Sequence, residues 1–276
     1  MDIANKPVQQ LNVKEVFLAK NPGLAKLLPG FVFRYIGRII HQDDMNQILR
    51  DYGHLRGIAF AAAMMKHFNV KVTVAGKENL PANSRVLFIA NHPLGGLDGI
   101  SLIDVIGSHY GDVRFLVNDI LMNIDNLRDV FLPINKHGAH SKNSTVQINE
   151  AYASDRPMIT FPAGLCSRKI KGKITDLEWK RNFLKKSIET ARDIVPIYVE
   201  GHNSAFFYNL ANFRKRIGIK ANIEMFFLPH ELFKYRNKEV RLTIGKPISH
   251  LAFDKSHTHG EWVEIIRKQL YGLSII

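Results

Sequence analysis

The spacing of apolar and polar positions divides the chain near residue 68. Before that point the pattern is helical. Val13, Val16 and Phe17 open a short apolar helix that Asn21-Pro22-Gly23 stops, and Pro29-Gly30 marks a second break. Residues 31–40 are aromatic and aliphatic, with Arg34 and Arg38 four apart. Residues 43–68 predict one long helix that opens on two acids, which suit a helix N-terminus, and is almost wholly apolar from Ile58 to Met65. Beyond it strands and helices alternate. Residues 70–76 alternate as a strand does, while Val86–Ala90 is apolar throughout, as in a central strand covered on both faces. Further strands are predicted at 113–117, 158–161, 194–199, 223–228 and 240–244, and helices at 98–108, 142–154, 177–192, 204–216 and 257–271. This order predicts an α/β fold with a mostly parallel central sheet flanked by helices. An N-terminal helical subdomain spans 1–67 and the main domain spans 68–276.

The 276 residues fit one large domain with a small accessory region, and a hydrophobic content of 46% can supply a sizeable core. The single cysteine, Cys166, excludes an intramolecular disulfide and any multi-cysteine zinc site, and no metal site is expected. The N-terminus lacks the charge and apolar pattern of a signal peptide, and no run of about 18 apolar residues marks a membrane span. A cytoplasmic location follows as the expectation. The net charge is +13, and residues 161–276 carry 21 Lys/Arg against 11 Asp/Glu. Such a surface attracts polyanions: nucleic acid, anionic lipid or an acidic carrier protein. The aromatic residues do not alternate with the basic ones as in a base-stacking platform, so no nucleic acid partner is expected.

Three blocks carry candidate chemistry, and each follows an apolar strand. In the first, Asn91-His92 and the turn at Gly95-Gly96 lead to Asp98. A carboxylate beside one imidazole nitrogen fixes the tautomer and leaves the other nitrogen to take a proton from a nucleophile. Ligands of open α/β sheets bind beyond strand C-termini, which is where this pair falls. In the second block, Phe161-Pro162-Ala163-Gly164 runs into Ser167 and Arg168. Its turn, followed by Lys169, Lys171 and Lys173, suits a phosphate or a developing oxyanion. Cys166, in the same block, reads as an inert buried thiol. The third is Val195-Pro196-Ile197, where Pro196 would shape a wall of the site. Lys136, after the apolar Phe131–Ile134, would face the same cleft.

The order of these blocks resembles the glycerolipid and lysophospholipid acyltransferase superfamily, over about residues 70–250. NHPLGGLDG and FPAGLCSRK are most similar to its hemolysin-like branch, which includes acyltransferases of ornithine and glycine lipid synthesis. The resemblance implies an O-acyltransferase. His92 would be the general base and Asp98 its orienting partner. Asn91, Gly95, Gly96, Lys136, Phe161, Pro162, Gly164, Ser167, Arg168 and Pro196 would bind substrate, with Arg168 the contact for an anionic headgroup. The donor would be acyl-carrier protein or acyl-CoA, as co-substrate with no bound cofactor.

Three positions depart from the family pattern. The spacing is His-x5-Asp where the family has His-x4-Asp, Ala163 stands where it has Glu, and Lys136 stands near its second-block arginine. Loss of the Glu, and of the arginine's bidentate fork, disfavours a glycerol phosphate acceptor and favours a lyso-type acyl amino acid lipid. The alternatives are a 1-acylglycerol-3-phosphate acyltransferase of phosphatidic acid synthesis, or an ester or thioester hydrolase. Basic helices around 31–40 and 54–68 would seat the enzyme on an anionic membrane surface, at the inner face of the cell membrane.

Overall fold

The computed structural model describes residues 10–20, 22–134 and 141–275. Four helices come first: α1 (Val13–Lys20), α2 (Pro22–Leu27), α3 (Gly30–Ile39) and α4 (Gln42–Tyr52). Then follow α5 (Gly57–His67), β1 (Lys71–Ala75), β2 (Val86–Ala90), α6 (Gly96–Tyr110), β3 (Arg114–Asn118), β4 (Phe131–Ile134), α7 (Ser141–Ala153) and β5 (Met158–Thr160). The remaining elements are β6 (Arg168–Ile170), β7 (Lys173–Thr175), α8 (Asn182–Glu189), β8 (Asp193–Val199), α9 (Ala205–Arg216), α10 (Leu228–Phe233), β9 (Glu239–Ile244) and α11 (His259–Gly272). No helix among the described residues is long and apolar enough to cross a membrane.

The chain forms two compact units. One comprises residues 1–55 and 204–234, and the other 56–203 and 235–276. The regular elements of the first are all helical among the described residues. Val13 and Phe33 centre a small core in it. Its buried ion pair joins Arg214 to Glu224, with Nε–Oε2 at 2.5 Å and a second hydrogen bond from the same guanidinium to Oε1 at 3.0 Å. His41 stacks on Phe233, and its Nε2 lies 2.8 Å from Nδ1 of His230.

The second unit holds a seven-stranded sheet in the order β1-β9-β8-β2-β5-β3-β4, parallel except for the β8–β9 pair. Central β2 is buried at every position, as its unbroken apolar run predicts. The pattern does not predict β4. It is an edge strand, where Pro133 withholds no hydrogen bond that a second neighbour needs. Arg192 closes the opposite end of the sheet from the site described below. Its fully buried guanidinium donates to the carbonyl oxygens of Val86, Ala151, Tyr152, Ser154 and Arg156, which ties α7 to β2. Burial pushes its pKa down to about 10.

Four sequence expectations change. The helix expected over 43–68 is two, because the chain turns at Gly53 and Gly57, the latter with φ +54°. α5 belongs to the second unit, and its Phe60, Ala61, Met64 and Met65 are buried, so it does not offer the apolar surface foreseen for 54–68. It packs on α6, where Gly107 lets Ile58 approach so closely that a Cβ would stand 2.6 Å from it. Residues 223–228 are not a strand but a 3-10 turn running into α10, whose start accepts Pro229. The helix foreseen over 177–192 is only α8, and before it the β6–β7 hairpin turns at Lys171-Gly172, both with positive φ.

Candidate active site

The sheet delivers His92 two residues beyond the end of β2. Asp98 lies in the first turn of α6, where the backbone N–H groups of Leu94 and Gly95 both donate to its Oδ2, at 2.8 and 3.1 Å. A carboxylate there also complements the positive end of the helix. Gly95 has φ +74°, a conformation that favours glycine at this turn into the helix. The same Oδ2 accepts from His92 Nδ1 at 2.9 Å. An oxygen that already receives two N–H groups can only accept, so Nδ1 carries a proton, and the ring in its neutral form presents a lone pair at Nε2.

The ring is held from several sides. Phe161 stacks on it with centroids 3.9 Å apart and planes inclined by 14°. The His92 backbone N–H donates to Asp176 Oδ1 at 3.1 Å, and its carbonyl accepts from the Ser167 N–H at 2.7 Å. The His92 side chain keeps 15% exposure while Asp98 has none, which leaves the imidazole open to a substrate and the carboxylate sealed beneath it. Burial alone would lower the His92 pKa. Charge at the neighbouring Cys166 sulfur and the bond to Asp98 outweigh it and push the pKa up to about 10. Burial pushes the Asp98 carboxyl up, against the opposing pull of the His92 hydrogen bond.

Of the other predicted residues, the structure brings Phe161 and Ser167 to His92, and Pro162 and Gly164 lie in the turn that follows Phe161. The Pro162 carbonyl accepts the Lys180 N–H at 3.0 Å. Gly164, at φ +66°, leaves room for Lys180 Nζ, which would stand 2.9 Å from a Cβ there. Ser167 is buried and gives its hydroxyl to Asp176 Oδ1 at 2.5 Å. The turn itself is partly closed, since the Gly164 N–H donates to the Phe161 carbonyl at 2.9 Å.

Three residues are placed differently from their expected roles. Asn91 is buried, and both ends of its amide pair with the backbone of Val199, at 2.8 and 2.7 Å, pinning β2 to β8. Arg168 is 2% exposed, and its guanidinium donates to the Cys166 carbonyl at 2.6 Å, turned inward from any headgroup. Pro196 sits inside β8 opposite Ile89 and lines a separate cleft with Ile244 and Gly245. Gly96 starts α6 with open space around its Cα, so nothing there demands a glycine. Lys136 lies outside the described residues.

Sequence reasoning missed Asp176. This buried carboxylate binds the His92 N–H, the Ser167 hydroxyl and, at 3.0 Å, the Trp179 indole N–H. Its own N–H donates to the Tyr271 hydroxyl at 2.9 Å. It joins the first and second blocks across 84 residues of sequence, and only the local Asp-x-x-Trp spacing hinted at it. Cys166 is buried, as a lone inert thiol would be, and its sulfur bears electrostatically on the imidazole.

Residues 15–275 match the family model described as "Acyltransferase". Two curated relatives, each named lyso-glycine lipid O-acyltransferase, are 46% identical over 264 residues, which is 95% of this chain. One is from Phocaeicola vulgatus, covered over 95% of its length, and the other from Bacteroides thetaiotaomicron, covered over 97%. Among solved structures, the 1-acyl-sn-glycerophosphate acyltransferase PlsC from Thermotoga maritima matches with a TM-score of 0.49 and 18% identity, over 88% of this chain and 92% of that one. Matched almost end to end by that model and 46% identical to two O-acyltransferases, the chain is an enzyme that transfers acyl groups: the protein belongs to the acyltransferase family.

Proposed function

We propose that the protein O-acylates a lyso acyl amino acid lipid of the glycine lipid type, at the inner face of the cell membrane, using acyl-carrier protein or acyl-CoA as donor. The observation that carries this reading is the His92–Asp98 pair in a chain 46% identical to two lyso-glycine lipid O-acyltransferases. The acceptor hydroxyl approaches Nε2 of His92, which takes its proton as the oxygen attacks the thioester carbonyl. Asp98 stabilises the imidazolium that forms. When the tetrahedral intermediate collapses the C–S bond breaks, the ester remains, and the thiolate recovers the proton from His92. The balance closes with no cofactor. Phe161 and Asp176 hold the imidazole against rotation and shift, which keeps the base within reach of the hydroxyl.

The donor fits the charge of the second block. Residues 168–186 carry eight Lys/Arg and two acids, and an open cleft beside the Pro162–Gly164 turn is lined by Lys180, Arg181, Lys185 and His259. Such a surface suits the acidic face of a carrier protein or the phosphates of CoA.

The test is acyl transfer from labelled acyl-carrier protein and acyl-CoA to N-(hydroxyacyl)glycine, with lysophospholipids and 1-acylglycerol 3-phosphate as competing acceptors. An acylated glycine lipid that forms with the wild type and not with His92→Ala supports the reading. Turnover of 1-acylglycerol 3-phosphate alone refutes the acceptor, and free fatty acid as the sole product makes the enzyme a hydrolase.

A further inference from the structure

The helical unit formed by residues 1–55 and 204–234 carries an apolar surface that the chemistry at His92 does not use. It is clearest on α9. At about 100° per residue, Phe206, Leu210, Phe213 and Ile217 fall within a wedge of about 60°. Phe206 is 51% exposed, Phe213 58% and Ile217 52%, and Leu210 is half-buried. The opposite side of the same helix, Phe207, Tyr208, Ala211 and Arg214, is buried in the unit. A surface helix ordinarily has one apolar face, turned to the core, and a polar one to water. Here a second apolar stripe points outward, too contiguous to be scattered surface residues.

The charge around the stripe selects its occupant. Residues 205–223 hold four Lys/Arg and no acid. Arg214 is taken up by Glu224, while Lys215, Arg216 and Lys220 are exposed at the end of the stripe. α3 repeats the chemistry in the same unit. Phe31 and Tyr35 are 63% and 62% exposed beside exposed Arg34 and Arg38, and residues 16–42 contain no acid. Two copies of such a surface would bring like charges together. An anionic bilayer offers what it lacks: negative headgroups for the lysines and arginines, and hydrocarbon just below for the phenylalanines and isoleucine.

We propose that the outer stripe of α9, from Phe206 to Lys220, docks the protein on an anionic lipid bilayer. The proposal rests on the reading above that the acceptor is a membrane lipid, and it moves the docking element from the segment 54–68 to one that the sequence placed in the transferase domain.

The experiment is flotation of the full chain with vesicles of phosphatidylcholine alone or with about one third phosphatidylglycerol. Wild type is compared with F206S/F213S/I217S, with K215Q/R216Q/K220Q and with H92A, each checked for helix content and thermal midpoint. Single F213S stands in if the triple variant does not fold. Binding that needs phosphatidylglycerol, weakens with salt and falls at least tenfold in both triple variants is the expected result. Both variants should retain turnover of a detergent-dispersed acceptor. Undiminished flotation of both triple variants overturns the proposal, as does loss only on F31S/Y35S. So does a dimer in the wild type that the apolar variant dissociates while vesicle binding persists. H92A should float normally. If no acceptor is acylated by any form and the flotation pattern still holds, the docking stands and the proposed function falls.

Discussion

Replacing Asp98 by asparagine separates what the carboxylate does by geometry from what it does by charge. The two backbone N–H groups of Leu94 and Gly95 both point at Oδ2, so the amide oxygen must take that place and the amide nitrogen that of Oδ1. The reverse orientation would set an NH2 against two donors. The His92 Nδ1–H therefore keeps an acceptor, and the ring keeps its tautomer. What is lost is charge. A hydrogen bond to an ion is worth about 1.5–3 kcal/mol and a neutral one about 0.5–1.5, so the imidazolium loses about 1–2 kcal/mol. That corresponds to a fall of about 5- to 30-fold in kcat/KM. Asp98→Ala removes the acceptor from three donors at once, and its loss should approach that of His92→Ala, at least about 100-fold. Oδ1 is buried without a partner among the described residues, so the asparagine NH2 goes unsatisfied and costs up to about 3 kcal/mol of fold stability. The assay is initial-rate acyl transfer with urea unfolding in parallel. If Asp98→Asn lost as much activity as Asp98→Ala while remaining folded, the argument that the backbone pins the oxygen would be wrong.

Other consequences can be checked in the same way. The raised His92 pKa means that kcat/KM should climb with pH from 6.5 toward about 10, since only the neutral ring is a base; the stability contributed by its proton is present below 6.5 and lost over that climb. Cys166→Ala should keep turnover and move this limb to lower pH, whereas abolished transfer would make the thiol a participant. Arg192→Met strands five carbonyl oxygens and should destabilise the fold by more than about 3 kcal/mol in urea, with the shape of the pH profile unchanged in whatever remains folded. Gly107→Ala forces a methyl against Ile58 and should cost about 1–3 kcal/mol, and an unchanged midpoint would show that α5 can shift away.

The parts of the molecule that could be read from sequence are those where one physical cause acts locally. β2 announces itself because both its faces are covered, and Asp98 because a carboxylate in a first helical turn faces back over the chain that enters the helix. Other parts depend on partners far away in sequence. The β6–β7 hairpin has largely exposed, basic positions and so no apolar period; only Lys171-Gly172 marked its turn. Arg168 sits in a run of lysines and reads as the contact for an anionic headgroup, yet it turns inward to its own loop. Asp176 has no local mark beyond the Asp-x-x-Trp spacing, because its meaning comes from His92 and Ser167. Residues 223–228 are apolar enough for a strand, but Glu224 must reach the buried Arg214, which a short helical turn allows.

The helical unit is assembled from two stretches separated by nearly 150 residues, 1–55 and 204–234. On the ribosome the first stretch emerges long before the second exists. His41 has no Phe233 to stack on, and the α1–α4 segment has no partner helices, until residue 234 has been made. At about 5–20 residues per second that interval is on the order of ten to forty seconds. Throughout it the nascent chain displays α2 and α3, which carry no acid, without the elements of the second stretch that pack on this unit, so the order of synthesis creates a period in which a chaperone or a nearby surface can engage these helices before the unit is complete.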